Sequence, residues 1–286
     1  SSNTHRMKKL IKKFLLVLLC VALVFVVWQS FKKVPTTGDW QEQLKILPTA
    51  QFNGDTVTVK NVRNFRYSPT EQDMHPGYYD KTYDLTKIKQ VWFVVEPFNE
   101  HESLAHTFVS FEFDNGSSED FLAISIEARK TKSQTWNPWQ GMIRTYPLVY
   151  IAADERDVVM LRANVRKDKV YVYPAKLESP ENARKLLTGM LTTMNELAGP
   201  KPAWYNTIFA NCTSSIAKEV NKITPGRVPG LSWDYIFTAT VDDLAMKYGL
   251  IDTNLTIDQA REKYNINEAS ERLGDTEGYS VGIRQF

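Results

Sequence analysis

Residues 104–129 read LAHTFVSFEFDNGSSEDFLAISIEAR, and this stretch decides the fold because it has the pattern of a β-hairpin. Leu104–Phe113 and Asp120–Arg129 each alternate apolar and polar residues, which is the period of a strand with one buried face. The polar segment between them contains Asn115-Gly116, a pair typical of tight turns. The sequence therefore predicts two antiparallel strands joined by a short turn.

The register of this hairpin brings a histidine and a carboxylate together. If Phe113 pairs with Asp120, the numbers of all paired residues sum to 233, and His106 lies opposite Glu127. Directly opposed side chains share a face, with Cβ atoms about 5 Å apart. A shift by two residues would change the partner of His106 but keep Glu127 on its face. An ordinary cross-strand polar pair is the alternative interpretation.

Further strands and helices flank the hairpin. Helices are predicted from Pro180 with Ser179 as N-cap, from Asn211, and over residues 241–248 with Gly249 at the end. Strands are predicted at residues 56–62, 91–95, 146–152, 157–162 and 169–173, with turns at 63–77 and a charged turn at 155–157. This order predicts an α+β fold, in which an antiparallel sheet packs against a few helices.

A membrane segment precedes this body. Residues 14–28 form an uninterrupted apolar run with four lysines before it and two after it. A span needs about 20 apolar residues, and Leu10, Ile11 and Phe31 extend the run toward that length. The larger positive charge before the run predicts a single-pass membrane protein with a cytoplasmic N-terminus and an exported body. We favour an uncleaved anchor over a cleaved signal peptide, because no small-x-small site follows the run.

The chain is expected to have four parts. Residues 1–33 comprise tag residues before Met7 and the membrane anchor, and residues 34–55 form a linker and lead-in. Residues 56–255 form the main domain, and residues 256–286 form a polar, partly helical tail.

The charge of the exported part argues against nucleic acid as a partner. The 286-residue chain has a formal net charge of +2, but residues 1–33 hold seven of its 35 basic residues and no acidic one. The remainder therefore has 28 basic against 33 acidic residues, a net charge of −5. Nucleic-acid-binding surfaces are basic instead. We find no metal-ligand spacing and no glycine-rich phosphate loop, so no cofactor and no metal are expected.

Cys212 is the cysteine of the exported part, because Cys20 lies inside the apolar run. Asn211 is a good N-cap, which places Cys212 at the first position of a helix. The positive end of the helix dipole lowers the pKa of a thiol there, and the backbone N–H groups can bind an oxyanion. A buried filler is the alternative, since free cysteine is among the most buried residue types.

The apolar stripe of this helix orients the thiol. Ile216 and Val220 lie four and eight residues after Cys212, on the same helical face. We expect them to turn Cys212 toward the sheet face that carries His106 and Glu127. A nucleophile, a base and a group that orients the base would then meet.

Four more residues are candidates for contacts to a substrate or an oxyanion. Tyr205 and Asn211 stand just before the cysteine helix, although an aromatic core residue is the alternative for Tyr205. Arg63 and Arg66 could hold an anionic substrate, and salt bridges along a strand edge are the alternative for both.

Several motifs in this order resemble one bacterial family. They are NVRNFRY (61–67), YDLTKI (83–88), both hairpin arms, ADERD (153–157), residues 170–174, YNTIFANCTSSI (205–216) and DDLAMKYGLID (242–252). From about residue 61 to residue 252 the chain resembles the Lnb N-terminal periplasmic domain family, a bacterial envelope domain. It departs from the family's late PGYSD pattern, which reads TATVD at residues 238–242.

That family is similar to circularly permuted NlpC-type, papain-like thiol hydrolases, in which a strand histidine precedes a helix-start cysteine. The resemblance implies a papain-like fold with Cys212 as nucleophile, His106 as base and Glu127 as the third polar group. We therefore expect a thiol hydrolase or an acyl or peptidyl transferase that acts on an amide or ester in the envelope. The resemblance names no substrate, and peptidoglycan peptides, lipoprotein or lipid acyl groups and envelope peptides are all compatible with this chemistry. A non-catalytic binding or scaffold module of the same fold is the alternative.

Overall fold

The structure is a computed structural model that describes residues 2–68, 70–98, 101–116, 119–230 and 240–286. Its described strands are β1 Thr49–Asn53, β2 Thr56–Arg63, β3 Arg66–Tyr67, β4 Met74–His75, β5 Tyr78–Asp84, β6 Ile88–Phe98, β7 His101–Asp114, β8 Glu119–Ala128, β9 Pro147–Ala153, β10 Tyr171–Pro174 and β11 Ala203–Trp204.

The described helices precede, interrupt and follow these strands. They are α1 Ser2–Ser30, α2 Pro138–Gly141, α3 Glu155–Met160, α4 Pro180–Ala198, α5 Cys212–Ile223, α6 Val241–Lys247, α7 Ile257–Tyr264, α8 Asn267–Leu273 and α9 Tyr279–Gly282. Single 3-10 turns form at Glu42–Leu44 and Leu85–Lys87, and α3 continues as a π-helical turn, Leu161–Arg166.

Nine of the described strands form one mixed sheet. Its order is β1-β2-β9-β8-β7-β6-β10, with β5 beside β2 and β11 beside β9. The pairs are antiparallel except for one parallel bridge between Arg63 and Ala153. The predicted combination of a sheet with several helices is therefore confirmed, and the sheet carries this one parallel contact.

The predicted hairpin register is confirmed. Phe113 pairs with Asp120 and Phe108 pairs with Ser125, so paired numbers sum to 233. Residues 117–118 of the connecting turn lie outside the described part of the chain. The strands predicted at residues 56–62, 91–95, 146–152 and 169–173 also form, as β2, β6, β9 and β10.

The sheet opens between β7 and β8 beside the predicted site. Pairing of β7 with β8 extends from Asp114 only to Phe108, whereas β7 stays paired with β6 through His106 and Ala105. Strand β8 stays paired with β9 through Glu127. Each strand thus follows its outer neighbour, and the two central strands separate where His106 and Glu127 face each other.

Apolar residues cover both faces of this sheet. On one face, Val109 and Phe111 of β7 pack with Ile216 of α5 and with α4. On the other face, Phe108 packs with Val158 of α3 and with residues of α8 and α9. Two helical layers therefore enclose the sheet.

The predicted facing of the cysteine helix is wrong. Side chains alternate along β7, so His106 shares the face of Phe108, while α5 packs on the opposite face against Val109. Burial of apolar surface decides this arrangement, because the odd-numbered residues of β7 offer the continuous apolar surface that the stripe of α5 needs.

The predicted strand at residues 157–162 and the predicted turn at 155–157 are also wrong. Asp154 starts α3 instead, because its carboxylate accepts the N–H of Arg156 at 2.9 Å. Asp157 is fully buried and binds the Arg63 guanidinium at 2.8 and 2.9 Å. The segment 155–157, predicted as a charged turn, is therefore the start of a helix, and an ion pair holds its Asp157 in the interior.

The N-terminal helix carries the predicted membrane segment. Over His5–Ser30 it is long and apolar enough to cross a membrane. Its end touches the body, where Arg144 Nη1 donates to the Gln29 carbonyl oxygen at 2.6 Å. At the other end of the chain, Ile266 and Tyr279 are fully buried in the apolar cluster that contains Phe108.

Candidate functional site

Cys212 is the first residue of α5, and Asn211 is the N-cap. The Asn211 side chain accepts the N–H of Ser214 at 2.8 Å, and the Ser214 hydroxyl accepts the N–H of Asn211 at 3.0 Å. The first N–H groups of a helix have no acceptor within it. The Asn211 cap accepts the N–H group of Ser214. The N–H groups of Cys212 and Thr213 therefore remain at the helix end, beside the thiol.

The Cys212 sulfur lies at the opening between β7 and β8. It is 3.8 Å from the carbonyl oxygen of Ala105 and 3.9 Å from the hydroxyl of Thr213. The side chains of His106 and Thr107 also interact with the thiol and lower its pKa. The residue is 7% exposed. Because the strands have separated here, a thiol from one face of the sheet reaches an imidazole on the other.

His106 is held by two polar side chains of β8. Its Nε2 lies 2.9 Å from the Ser125 hydroxyl and 3.3 Å from Glu127 Oε1. The Ser125 hydroxyl donates to the same Glu127 oxygen at 2.7 Å. The imidazole packs against the Phe108 ring, with 5.9 Å between centroids.

This arrangement assigns the protons of the imidazole. A serine hydroxyl has one hydrogen, and in Ser125 it points to Glu127. The Ser125 oxygen must therefore accept from His106, which requires a hydrogen on Nε2. The N–H group at Nε2 of His106 thus donates toward the Ser125 hydroxyl oxygen and Glu127 Oε1.

The electrostatics of the pair favour a thiolate and an imidazolium. Burial disfavours the thiolate, but the hydrogen bond and the charge of His106 outweigh it, and the pKa of Cys212 is lowered to about 7. Burial likewise disfavours the imidazolium, but Glu127 outweighs it, and the pKa of His106 is raised to about 9. Despite burial, His106 and Arg162 hold the pKa of Glu127 well below its usual value.

Arg162 and Glu96 extend this cluster and were missed in the sequence. Arg162 Nε donates to Glu96 at 2.6 Å, and its Nη2 lies 3.3 Å from Glu127. Glu96 is 2% exposed and lies opposite His106 in the β6–β7 register. The available signal was a glutamate within the apolar run VWFVVEPF, because a buried carboxylate requires a cationic partner.

A cleft of about 840 Å³ leads to the thiol. Its lining includes Cys212, His106 and Glu127 together with a charged and an apolar set of side chains. The charged set is Arg63, Glu71, Glu96, Lys130, Arg162 and Arg166, and the apolar set is Phe98, Trp136, Ile208, Phe209, Pro229 and Leu244. A lining of this kind can bind both polar and apolar groups of a substrate.

Two of the four additional candidates lie beside the thiol. Tyr205 is buried and lines the cleft, and burial raises its pKa, so its hydroxyl stays protonated. Asn211 also lines the cleft, but its side chain serves the helix cap and donates to the Thr207 carbonyl at 2.6 Å. The N-cap role predicted for Asn211 is thus confirmed, and it occupies the side-chain oxygen.

Both arginines form ion pairs. Arg63 lines the cleft, but its guanidinium binds Asp157 and the Gln43 carbonyl. Arg66 binds Asp275 at 2.9 Å and Asn64 at 2.7 Å. The salt-bridge alternative therefore describes both side chains. Within the described ranges, no group of three or more His, Cys, Asp or Glu residues could hold a metal ion.

Comparison with known proteins gives one match. The family model described as the Lnb N-terminal periplasmic domain matches residues 75–241, which include Cys212, His106 and Glu127. No curated protein and no solved structure matches the chain.

Proposed function

Because the chain belongs to the Lnb N-terminal periplasmic domain family, we propose that it is a membrane-anchored envelope thiol hydrolase or acyl or peptidyl transferase. Cys212 is the nucleophile, His106 its acid and base, and Glu127 the group that orients and charges His106. The likeness to NlpC-type, papain-like hydrolases is part of this proposal. The site acts on an amide or ester of a peptide, peptidoglycan or acyl substrate in the envelope.

The reaction begins from the thiolate. The Cys212 sulfur attacks the carbonyl carbon, and the N–H groups at the start of α5 stabilise the oxyanion. When the tetrahedral intermediate collapses, the bond from carbon to nitrogen or oxygen breaks, and His106 gives its Nδ1 proton to the leaving group. A thioester remains on Cys212. The neutral imidazole then takes a proton from water or an amine, which attacks the thioester and releases the thiolate.

The anchor sets the location of this chemistry. We propose that α1 crosses the inner membrane once, with its N-terminus in the cytoplasm and the body in the periplasm. The helix over His5–Ser30 supports a span by length and composition. The contact of Arg144 with Gln29 supports a body held close to the membrane surface.

One observation carries the proposal: a buried thiol at a helix N-terminus interacts with an imidazole that contacts a carboxylate. In the test, envelope extract is incubated with wild-type protein or with Cys212→Ala, and released peptides and lipids are identified by mass spectrometry. Cys20→Ser is the matched control for loss of a thiol.

The expected result is that wild type and Cys20→Ser form products that Cys212→Ala does not. Identical products from all three proteins would contradict the proposal and favour a binding module.

A further inference from the structure

Five cations line the cleft, and four of them have partners. Arg63 binds Asp157, Arg162 binds Glu96, and Arg166 binds Glu71. Lys218 donates to the Phe209 carbonyl at 2.7 Å. Lys130 also lines the cleft, and among the described residues it has neither an ion pair nor a hydrogen bond for its ammonium group.

The carboxylates near Lys130 are already saturated. Both oxygens of Glu71 receive hydrogen bonds from Arg166, at 2.7 and 3.0 Å. Glu127 receives contacts from His106, Ser125 and Arg162. Among the described residues, no carboxylate therefore lies within ion-pair distance of the Lys130 ammonium, although Glu127 and Glu71 act on it from farther away.

Lys130 is also removed in part from water. It follows the end of β8, three residues after Glu127, and it is half-buried. Burial lowers its pKa, although Glu127 partly opposes this effect. Partial burial lowers the effective dielectric constant, so an anion that joins this ammonium is attracted more strongly than one at a fully exposed lysine. The structure around Lys130 thus has the charge and the space for an anionic group.

We infer that Lys130 is an anion-binding subsite of this cleft, and that the substrate carries a carboxylate or phosphate group near the bond that Cys212 attacks. This inference rests on the proposed function, because it names the chemical class of the substrate for the same site. The apolar side chains of the cleft would contact the remainder of that substrate.

The test compares two alkylating agents of similar size on Cys212, in a Cys20→Ser background. Iodoacetate is an anion and iodoacetamide is neutral, so the ratio of their rates measures attraction of an anion to the site. Lys130→Met should lower the iodoacetate rate about fivefold and leave the iodoacetamide rate unchanged. Lys130→Arg should retain the ratio of the parent protein.

Lys132→Met is the matched control. Lys132 lies two residues away, has a 59% exposed side chain and pairs with Asp39 at 2.9 Å. Its removal should change neither rate. An equal ratio in the parent protein and in Lys130→Met would overturn the inference.

The iodoacetamide rate separates the two proposals. If the pH dependence of the iodoacetamide rate gives an ordinary thiol pKa, the proposed function fails, whatever the ratio of the iodoacetate and iodoacetamide rates is. If the thiol is activated but the ratio does not depend on Lys130, only the subsite fails. Phosphate and acetate are then compared for their ability to protect Cys212 from iodoacetamide. The anion that protects identifies the group that Lys130 binds, and this protection must be lost in Lys130→Met.

Discussion

Glu127 Oε1 lies 3.3 Å from His106 Nε2, across the end of the hairpin where β7 and β8 have separated. This contact determines where the proton of the thiol resides. The carboxylate stabilises the imidazolium, and the imidazolium stabilises the thiolate of Cys212. Because the pKa of Cys212 lies below that of His106, the ion pair is the resting form between about pH 7 and about pH 9.

The alkylation rate of Cys212 should therefore follow an apparent pKa of about 7. As the pH falls through this value, the thiolate is protonated and reactivity is lost. In His106→Ala the apparent pKa should rise to at least the ordinary thiol value of about 8.5. Iodoacetamide rates measured against pH in a Cys20→Ser background give both values. An apparent pKa that is unchanged by His106→Ala would contradict the assigned ion pair.

Glu127 should make folding stability depend on pH through His106. The pKa of His106 in the folded protein, about 9, lies above its ordinary value of 6.5. The contact therefore stabilises the fold fully between the ordinary carboxyl pKa of about 4.3 and about pH 6.5, and this contribution is lost as the pH rises through about 9. A Cys212→Ser background removes the titration of the thiol.

Urea unfolding tests this sign. At each pH, the free energy of unfolding of Cys212→Ser/Glu127→Gln is subtracted from that of Cys212→Ser. This difference should be about 1–3 kcal/mol larger at pH 6 than at pH 10. All other titrating groups are common to the two proteins and cancel. A difference that grows with pH would reverse the assignment.

Arg162 should act as a positioning residue for Glu127. Its ion pair with Glu96 is buried on both sides, with side-chain exposures of 5% and 2%. Removal of one partner leaves a buried charge, so Arg162→Met and Glu96→Gln should each cost about 3–5 kcal/mol. The double variant should cost less than the sum, with a coupling of at least about 1 kcal/mol.

The exposed pair of Lys167 and Glu271 is the matched control. Its side chains are 63% and 74% exposed at a separation of 3.1 Å, so its coupling should stay below about 1 kcal/mol. Arg162→Met should also shift the pH dependence of Cys212 alkylation, because Arg162 contacts Glu127. A purely structural role would change stability and leave that profile unmoved.

The sequence predicted the local parts of the site and missed how they meet. Alternation placed Glu127 on the same face as His106, and Asn211 marked the start of the cysteine helix. Both signals lie within a few residues of the features that they predict. The opening between β7 and β8 depends on each strand following a different neighbour, which no local pattern encodes.

Buried charges account for the other errors. The sequence predicts a turn at Asp157 because aspartate is seldom buried. Its partner Arg63 lies 94 residues away, so no local pattern indicates the ion pair. The same holds for Glu96 and Arg162, which are 66 residues apart. In a long-range ion pair each partner stands alone in its own segment of the sequence. A charged residue among apolar ones is then the only local indication that the residue is buried and paired.

Gly141 should be required for the position of the segment that precedes Cys212. A Cβ atom at Gly141 would lie 2.2 Å from the Thr207 hydroxyl and 3.2 Å from the Tyr205 ring. That hydroxyl donates to the Pro138 carbonyl at 2.7 Å, so it is not free to move away without loss of a hydrogen bond. Gly141→Ala should therefore lower the free energy of unfolding by about 1–3 kcal/mol.

Gly278→Ala is the control for this substitution, because a Cβ atom at Gly278 meets nothing within 4 Å. It should change the free energy of unfolding by less than about 0.5 kcal/mol. Thr207→Ala removes the clashing hydroxyl, so Gly141→Ala/Thr207→Ala should be more stable than the two single losses predict. Strict additivity of the two losses, measured by urea unfolding, would show that Gly141 and Thr207 do not compete for the same space. Because Tyr205 and Thr207 lead directly into the N-cap of α5, the clash should also slow alkylation of Cys212, and the double variant should recover the rate.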